Sequence, residues 1–298
     1  MDGDQALGGF SSEGLTAIPA ALGPVIEAGD LSGFVTLLWR KGEIAQVNTI
    51  GHRDVAGGLP MARDTMFRIA SMTKPITSIA ALMLVEEGKL KLDDPITKWM
   101  PEFADMKVLK AADGPLDETY PAPRDITLND LMTHRSGLAY GFTSAGPIGP
   151  AHEEVLGSPL LVLHTPDEWL KRLASLPLSY PPGERFHYSH ATDVLGFLVG
   201  RVAGMPYRDF IMERILKPLG MNDTDFWCPP EKRDRMAKLY RINPATDQMQ
   251  DISFPHSDAP PGDEVIDLLE VLQFGRASSA VKFQKIVNQE VDGRLGGS

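Results

Sequence analysis

Apolar positions recur at helical spacing near the start of the chain. Leu15, Ile18, Leu22, Val25 and Ile26 fall at helical spacing and predict a helix, which Pro19 and Pro24 are expected to interrupt. The pattern then changes period. Residues 33–40 are rich in apolar and β-branched side chains, Lys41-Gly42 offers a turn, and 43–51 reads as a returning strand, so a hairpin is expected. An apolar approach at 67–70 leads into a helix expected over 71–87 and stopped by Gly88. Residues 90–103 and 110–125 carry Asp93-Asp94-Pro95, Pro101 and further prolines, and read as loops.

Thr127-Leu128-Asn129-Asp130 has the form of a capping box opening a short helix that ends near His134. Residues 137–157 hold glycine and proline with little periodicity. Thr165-Pro166-Asp167-Glu168 is a better capping box, with proline at the first helical position. Tyr180-Pro181-Pro182-Gly183 predicts a tight turn, and 193–203 and 207–219 predict amphipathic helices. Beyond 255 the chain is polar and proline-rich, with short helices expected at 263–274 and 280–287. This order lacks a βαβ alternation and any fixed repeat, and so points to an α+β core with a helical insertion.

Composition narrows the function. Of 298 residues, 43% are hydrophobic and 23% charged, as in an ordinary globular protein. Lysine and arginine total 29 against 40 acidic residues, a net charge of −11 that disfavours nucleic acid and anionic membranes as partners. It suits a small neutral substrate. Cys228 is the only cysteine, which excludes an intramolecular disulfide and a cysteine-based zinc site. Met1-Asp2-Gly3-Asp4 does not open a secretory signal, and the apolar run at 79–85 is too short to span a bilayer, so a cytoplasmic location is expected.

Ser71-Met72-Thr73-Lys74 carries the chemistry. Residues three apart share a helix face, so the lysine amine can reach the serine hydroxyl. Serine needs a base to become a nucleophile, and a lysine amine is one only when its pKa is brought down. Ser71 also stands where the helix begins, where backbone N–H groups lack helical partners and can stabilise an oxyanion. Spacing alone is weak: Ser279-Ala280-Val281-Lys282 repeats it in a polar tail. Tyr188, in Tyr188-Ser189-His190, is a second candidate, because a phenol beside a lysine can relay a proton; by itself it is as readily a packing residue. His187 and His190 at a spacing of three are a weak zinc signal in a turn-to-strand segment. His134, Trp99 and Trp169 read as structural.

Several ordered motifs together resemble the serine β-lactamase and penicillin-binding-protein superfamily, in its esterase branch. They are Phe67-Arg68-Ile69-Ala70-Ser71-Met72-Thr73-Lys74-Pro75, Thr133-His134-Arg135-Ser136-Gly137, the run from Pro182-Gly183-Glu184 through Tyr188-Ser189-His190 to Gly196, and Leu216-Lys217-Pro218-Leu219-Gly220-Met221. The resemblance covers roughly residues 10–240. It implies a β-lactamase/transpeptidase-like fold, an antiparallel sheet flanked by helices with an inserted helical region. It implies an acyl-enzyme on Ser71 with Lys74 and Tyr188 moving the proton, and no metal or cofactor. The implied organisation is one hydrolase domain over 10–256, its helical insertion at about 90–225, and a divergent tail at 257–298.

Two departures bear on substrate. The family's β-lactamase pattern places asparagine two positions after the tyrosine, and here that position is His190, expected to contact substrate. Histidine cannot reproduce both faces of an amide, which favours esters over lactams. The family's third motif, a Lys-Thr-Gly-like, His-x-Gly or Trp-Gly triplet on a late strand, is not found, and 260–298 do not resemble the expected continuation. The expected activity is therefore hydrolysis of short-chain acyl esters. The alternatives are a β-lactamase or D-alanyl peptidase-type amide hydrolase, or a non-catalytic scaffold relative.

Overall fold

The structure, a computed structural model, describes residues 5–157 and 164–253. In chain order the elements are β1 (Gln5–Ala6), β2 (Phe10–Ser11), α1 (Ser12–Glu27), β3 (Gly33–Arg40), β4 (Glu43–Asp54), β5 (Leu59–Pro60), α2 (Thr73–Glu86), β6 (Lys107–Leu109), β7 (Thr119–Pro121), α3 (Leu128–Met132), α4 (Ile148–Leu156), α5 (Pro166–Ala174), α6 (Ala191–Ala203), α7 (Tyr207–Ile211), β8 (Tyr240–Asn243) and β9 (Gln248–Asp251). Helices with antiparallel strands make this the expected α+β arrangement. The described residues form two compact units, 5–69 with 219–253, and 70–157 with 164–218. The helices expected at 263–274 and 280–287, the second serine–lysine pair and the tail at 257–298 lie outside the described residues.

In the first unit, β3, β4 and β5 form an antiparallel sheet in that order, and α1 packs on β4. The β3–β4 turn is two residues long, with Arg40 opposite Glu43 and with Lys41 and Gly42 at φ of 52° and 85°. Positive φ at both positions gives the turn the twist of the flanking strands, which is why Lys41-Gly42 closes the hairpin. Contrary to expectation, α1 runs straight through its two prolines. Pro19 has no N–H for the carbonyl of Leu15, one turn earlier. That carbonyl instead accepts a hydrogen bond from Gln46 Nε2 on β4 at 2.9 Å. A side chain from the sheet thus replaces the missing helical donor, a long-range remedy that local spacing cannot reveal.

The second unit is mostly helical. Along α2 the buried residues are Thr73, Ile76, Thr77, Ala80, Ala81 and Leu84, a single stripe at helical spacing. This helix packs on α6, whose Val194, Leu195, Leu198 and Val199 are fully buried, and α3 and α7 pack on α6 as well. Burying each such leucine or valine contributes about 1.5–3 kcal/mol. Gly88, at φ 72°, ends α2 as expected.

The capping boxes come out reversed in strength. At α3 both halves are made: Thr127 accepts from the Asp130 amide and Asp130 from the Thr127 amide. At α5 Thr165 accepts from the Glu168 amide, with Pro166 at the first position. Helix α4 falls within 137–157, where little order was expected. Its buried residues Ile148, Gly149, Ala151, His152 and Leu156 do keep helical spacing, but glycine, alanine and histidine stand in for large apolar groups. The ribbons β6–β7 and β8–β9 also lack a sequence signal, being three or four residues long and mixed in polarity.

One network anchors the segment that leads to Tyr188. Arg124 donates to both oxygens of Asp130 at 2.5 and 2.9 Å. The Glu184 amide donates to the Pro181 carbonyl, with Gly183 at φ 85°, which closes the predicted turn as type II. A Cβ at Gly183 would lie 2.2 Å from Arg124 Nη2, so glycine lets the turn close against the ion pair. Burial by itself raises the Asp130 pKa, but the bonds from Arg124 and Thr127 outweigh it and hold the carboxyl below its ordinary value.

Two outcomes are expected. Gln46→Ala should lower stability by about 1 kcal/mol in urea denaturation, and by less in a Pro19→Ala background, where the helix regains its own donor. Because Asp130 has a depressed folded pKa, its contribution is present above the ordinary carboxylate range and is lost as pH falls through the lower folded value. Thermal unfolding followed from about pH 4 downward should therefore lose stability less steeply in Asp130→Asn than in the wild type; parallel curves would dismiss this role.

Candidate active site

The chain enters the second unit through Ala70, at φ 42°. Left-handed backbone is costly for a residue with a Cβ, and here it turns the chain into the short helical turn Ala70–Met72 that runs directly into α2. Ser71 therefore lies two residues ahead of α2, whose first residue is Thr73. Pro75 falls in the first turn of α2, where an absent N–H breaks no helical bond. Ser71 is exposed and Lys74 half-buried.

Ser71 Oγ lies 2.8 Å from Tyr188 Oη, and Lys74 Nζ donates to Ser71 Oγ at 3.3 Å. The same ammonium stands 4.8 Å from the centre of the Tyr188 ring. Three side chains chosen from sequence thus meet around one hydroxyl. Two backbone contacts hold the Tyr188 segment: Thr143 Oγ1 donates to the Tyr188 carbonyl at 3.0 Å, and the His187 amide donates to the His134 carbonyl at 2.7 Å.

His190 is placed differently. It is 4% exposed, and its Nδ1 donates to Asp193 Oδ2 at 2.9 Å. Tyr140 Oη donates to the same carboxylate oxygen at 3.1 Å. The His190 ring meets Tyr140 edge-on at 4.1 Å and Trp169 at 5.3 Å, and lies parallel to His152 at 5.8 Å. His190 thus makes no hydrogen bond with the Ser71 group among the described residues. It lines a small pocket with Tyr140, Phe142, His152, Glu153 and Leu156. Burial pushes the His152 pKa down to about 4 against its bond to the Ile148 carbonyl, so its ring is neutral near pH 7.

His134, read from sequence as structural, lies against the site. Its ring is 4.8 Å from that of Tyr188, and its pKa is lowered first by burial and then by the charge of Lys74. Tyr140, 5.6 Å from the Tyr188 ring on another side, was not singled out at all. His134 stands in the Thr133-His134-Arg135-Ser136-Gly137 motif but is not assigned to the site from sequence, and Tyr140 has no sequence signal. Asp193 did have one: an acid three residues after His190 at the start of a helix. His187 Nε2 is 3.2 Å from Ser144 Oγ, apart from the His190–Asp193 pair. Among the described residues no three histidine, cysteine, aspartate or glutamate side chains converge as a metal site, and no helix is long and apolar enough to cross a membrane.

Comparison with known proteins places the chain in a family. Residues 19–269 match the Beta-lactamase family. Protein Rv1367c of Mycobacterium tuberculosis is 49% identical over 242 residues, which are 81% of this chain and 59% of that protein. Esterase EstB of Burkholderia gladioli is 40% identical over 200 residues, 66% of this chain and 47% of that protein. The chain spans about half the length of the curated relatives it matches. Among solved structures, EstCE1, described as a hydrolase with promiscuous acyltransferase activity, superposes with a TM-score of 0.74 at 26% identity, covering 91% of this chain and 71% of that one. The match over most of its length, in sequence and in fold, means that this chain belongs to the Beta-lactamase family.

Proposed function

We propose that the protein is a serine hydrolase that cleaves short-chain acyl esters through an acyl-enzyme on Ser71. The observation that carries this reading is the placement of both Tyr188 Oη and Lys74 Nζ at the Ser71 hydroxyl, at 2.8 and 3.3 Å. Both fall within reach for proton transfer.

In the proposed cycle, Ser71 Oγ attacks the ester carbonyl carbon while its proton passes to Tyr188 Oη, acting as general base beside Lys74 Nζ. The oxyanion forms beside the amino end of α2, where backbone dipoles favour negative charge. Collapse breaks the carbon–oxygen bond to the alcohol, which leaves with the proton from Tyr188. Water then attacks the acyl-enzyme, giving its proton to Tyr188, and the acid departs as Ser71 recovers its own. No other reactant is needed.

The ester preference rests on His190, which occupies the sequence position where the β-lactamase pattern has asparagine and cannot offer both faces of an amide. On this reading His190 meets substrate from the pocket it shares with Tyr140 and Phe142. The Burkholderia gladioli relative, named an esterase, supports the same choice.

Nitrophenyl butyrate hydrolysis tests the proposal. Ser71→Ala should reduce turnover to the uncatalysed background, and Tyr188→Phe should reduce kcat by about 10²–10⁴ with the fold intact. A fluorophosphonate probe should label the wild type at Ser71 and leave Ser71→Ala unlabelled. Equal hydrolysis by Ser71→Ala, or β-lactam turnover well above ester turnover, would sink the nucleophile and the substrate assignment respectively. A folded, unlabelled wild type would instead support a non-catalytic relative.

A further inference from the structure

We infer that Phe142 and Phe186 form a platform for a bulky apolar or aromatic group of the substrate, so that the site selects esters carrying such a group beside the scissile bond. This rests on Ser71 being the nucleophile.

Exposure is the first observation. Among the large apolar side chains of the described residues, Phe142 (68%), Met72 (65%) and Phe186 (63%) are the most exposed, and the next, Leu31, is at 48%. Met72 follows Ser71 in the chain, and the two phenylalanines end a series of ring contacts that passes through Tyr188. Phe186 meets His134 edge-on at 5.7 Å, His134 meets Tyr188 at 4.8 Å, Tyr188 meets Tyr140 at 5.6 Å, and Tyr140 stacks on Phe142 at 4.9 Å. The Ser71 hydroxyl is bonded to the middle ring of the series.

Exposed phenylalanines are unfavourable in water unless a partner covers them, and grouped ones mark a binding surface. These rings are also held in place. Tyr140, under Phe142, is anchored through its hydroxyl to the buried Asp193. His134, under Phe186, has its carbonyl bonded to the His187 amide. A rigid apolar surface that needs no ordering on contact binds planar apolar groups at low entropic cost. What covers these rings is the substrate, because each stands two ring contacts from Tyr188, whose hydroxyl is bonded to the residue that would be acylated. Lys74 is turned to the serine oxygen and the tyrosine ring.

Two kcat/KM ratios test this in the full chain: naphthyl acetate over trifluoroethyl acetate for the alcohol side, and trifluoroethyl phenylacetate over trifluoroethyl acetate for the acyl side. Intrinsic reactivity cancels when one ratio is compared between variants. At least one ratio should fall about tenfold in Phe142→Ala or Phe186→Ala, mainly through KM. Tyr120→Ala, an exposed ring on β7, should leave both ratios as they are. Binding of naphthyl methyl ether, which cannot be hydrolysed, should weaken in the same two phenylalanine variants. Intact fluorophosphonate labelling with unchanged ratios and unchanged ether binding would overturn the platform while leaving the nucleophile standing. Lost labelling in the wild type, with ether binding still weakened by the two substitutions, would uphold the platform and remove the ester chemistry. A change in sedimentation of the phenylalanine variants without a change in either ratio or in ether binding would make the surface a protein interface and overturn the inference.

Discussion

Much of the second unit is arranged around one hydrogen bond, between the hydroxyls of Ser71 and Tyr188, residues 117 positions apart. Neither group can be placed to a few tenths of an ångström by its own segment. Ser71 is set by the turn ahead of α2, and α2 is set by packing its buried stripe on α6. Tyr188 lies three residues before α6, so the same helix pair governs both ends of the bond. A close-packed interior transmits such constraints because its side chains have little room to shift.

Positive-φ backbone recurs at the places that aim these side chains. Ala70 precedes Ser71, His134 lies against Tyr188, and Gly183 shapes the turn ahead of Tyr188. Only the last is a residue suited to that conformation. The other two persist because surrounding contacts over-determine them, the pattern expected where strain serves placement of a functional group. The Arg124–Asp130 pair plays a related part, since Arg124 occupies the space that any side chain at 183 would need.

Buried polar groups behind the site are arranged in pairs. Asp193 accepts from both Tyr140 and His190, so one carboxylate orients a ring that packs on Tyr188 and a ring that lines the neighbouring pocket. Such a shared acceptor couples the pocket to Tyr140 through hydrogen bonds as well as ring contact, and Tyr140 packs in turn on Tyr188. It also accounts for an acidic residue nearly buried at the start of α6, where the helix dipole favours its charge.

From the amino-acid sequence came the α+β class, the β3–β4 hairpin with its two-residue turn, the start and stop of α2, the caps of α3 and α5, the turn at Gly183, and the serine, lysine and tyrosine of the candidate site. Each is local, or a motif whose residues stand in a short run, where hydrophobic period, proline, glycine and capping chemistry act over a few positions. Tertiary structure alone decided the rest. Helix α1 survives Pro19 because Gln46, 31 residues away in the chain, supplies the missing donor. Helix α4 forms although only Ile148 and Leu156 on its buried face are large and apolar. His190 is turned to Asp193 and Tyr140 rather than to Ser71, and Tyr140, His134, Phe142 and Phe186 become one aromatic series only when α2, α6 and the loops between them pack together. Contacts between residues far apart in the chain leave no periodic trace, because their energy depends on which surfaces meet and not on which residues are neighbours in sequence.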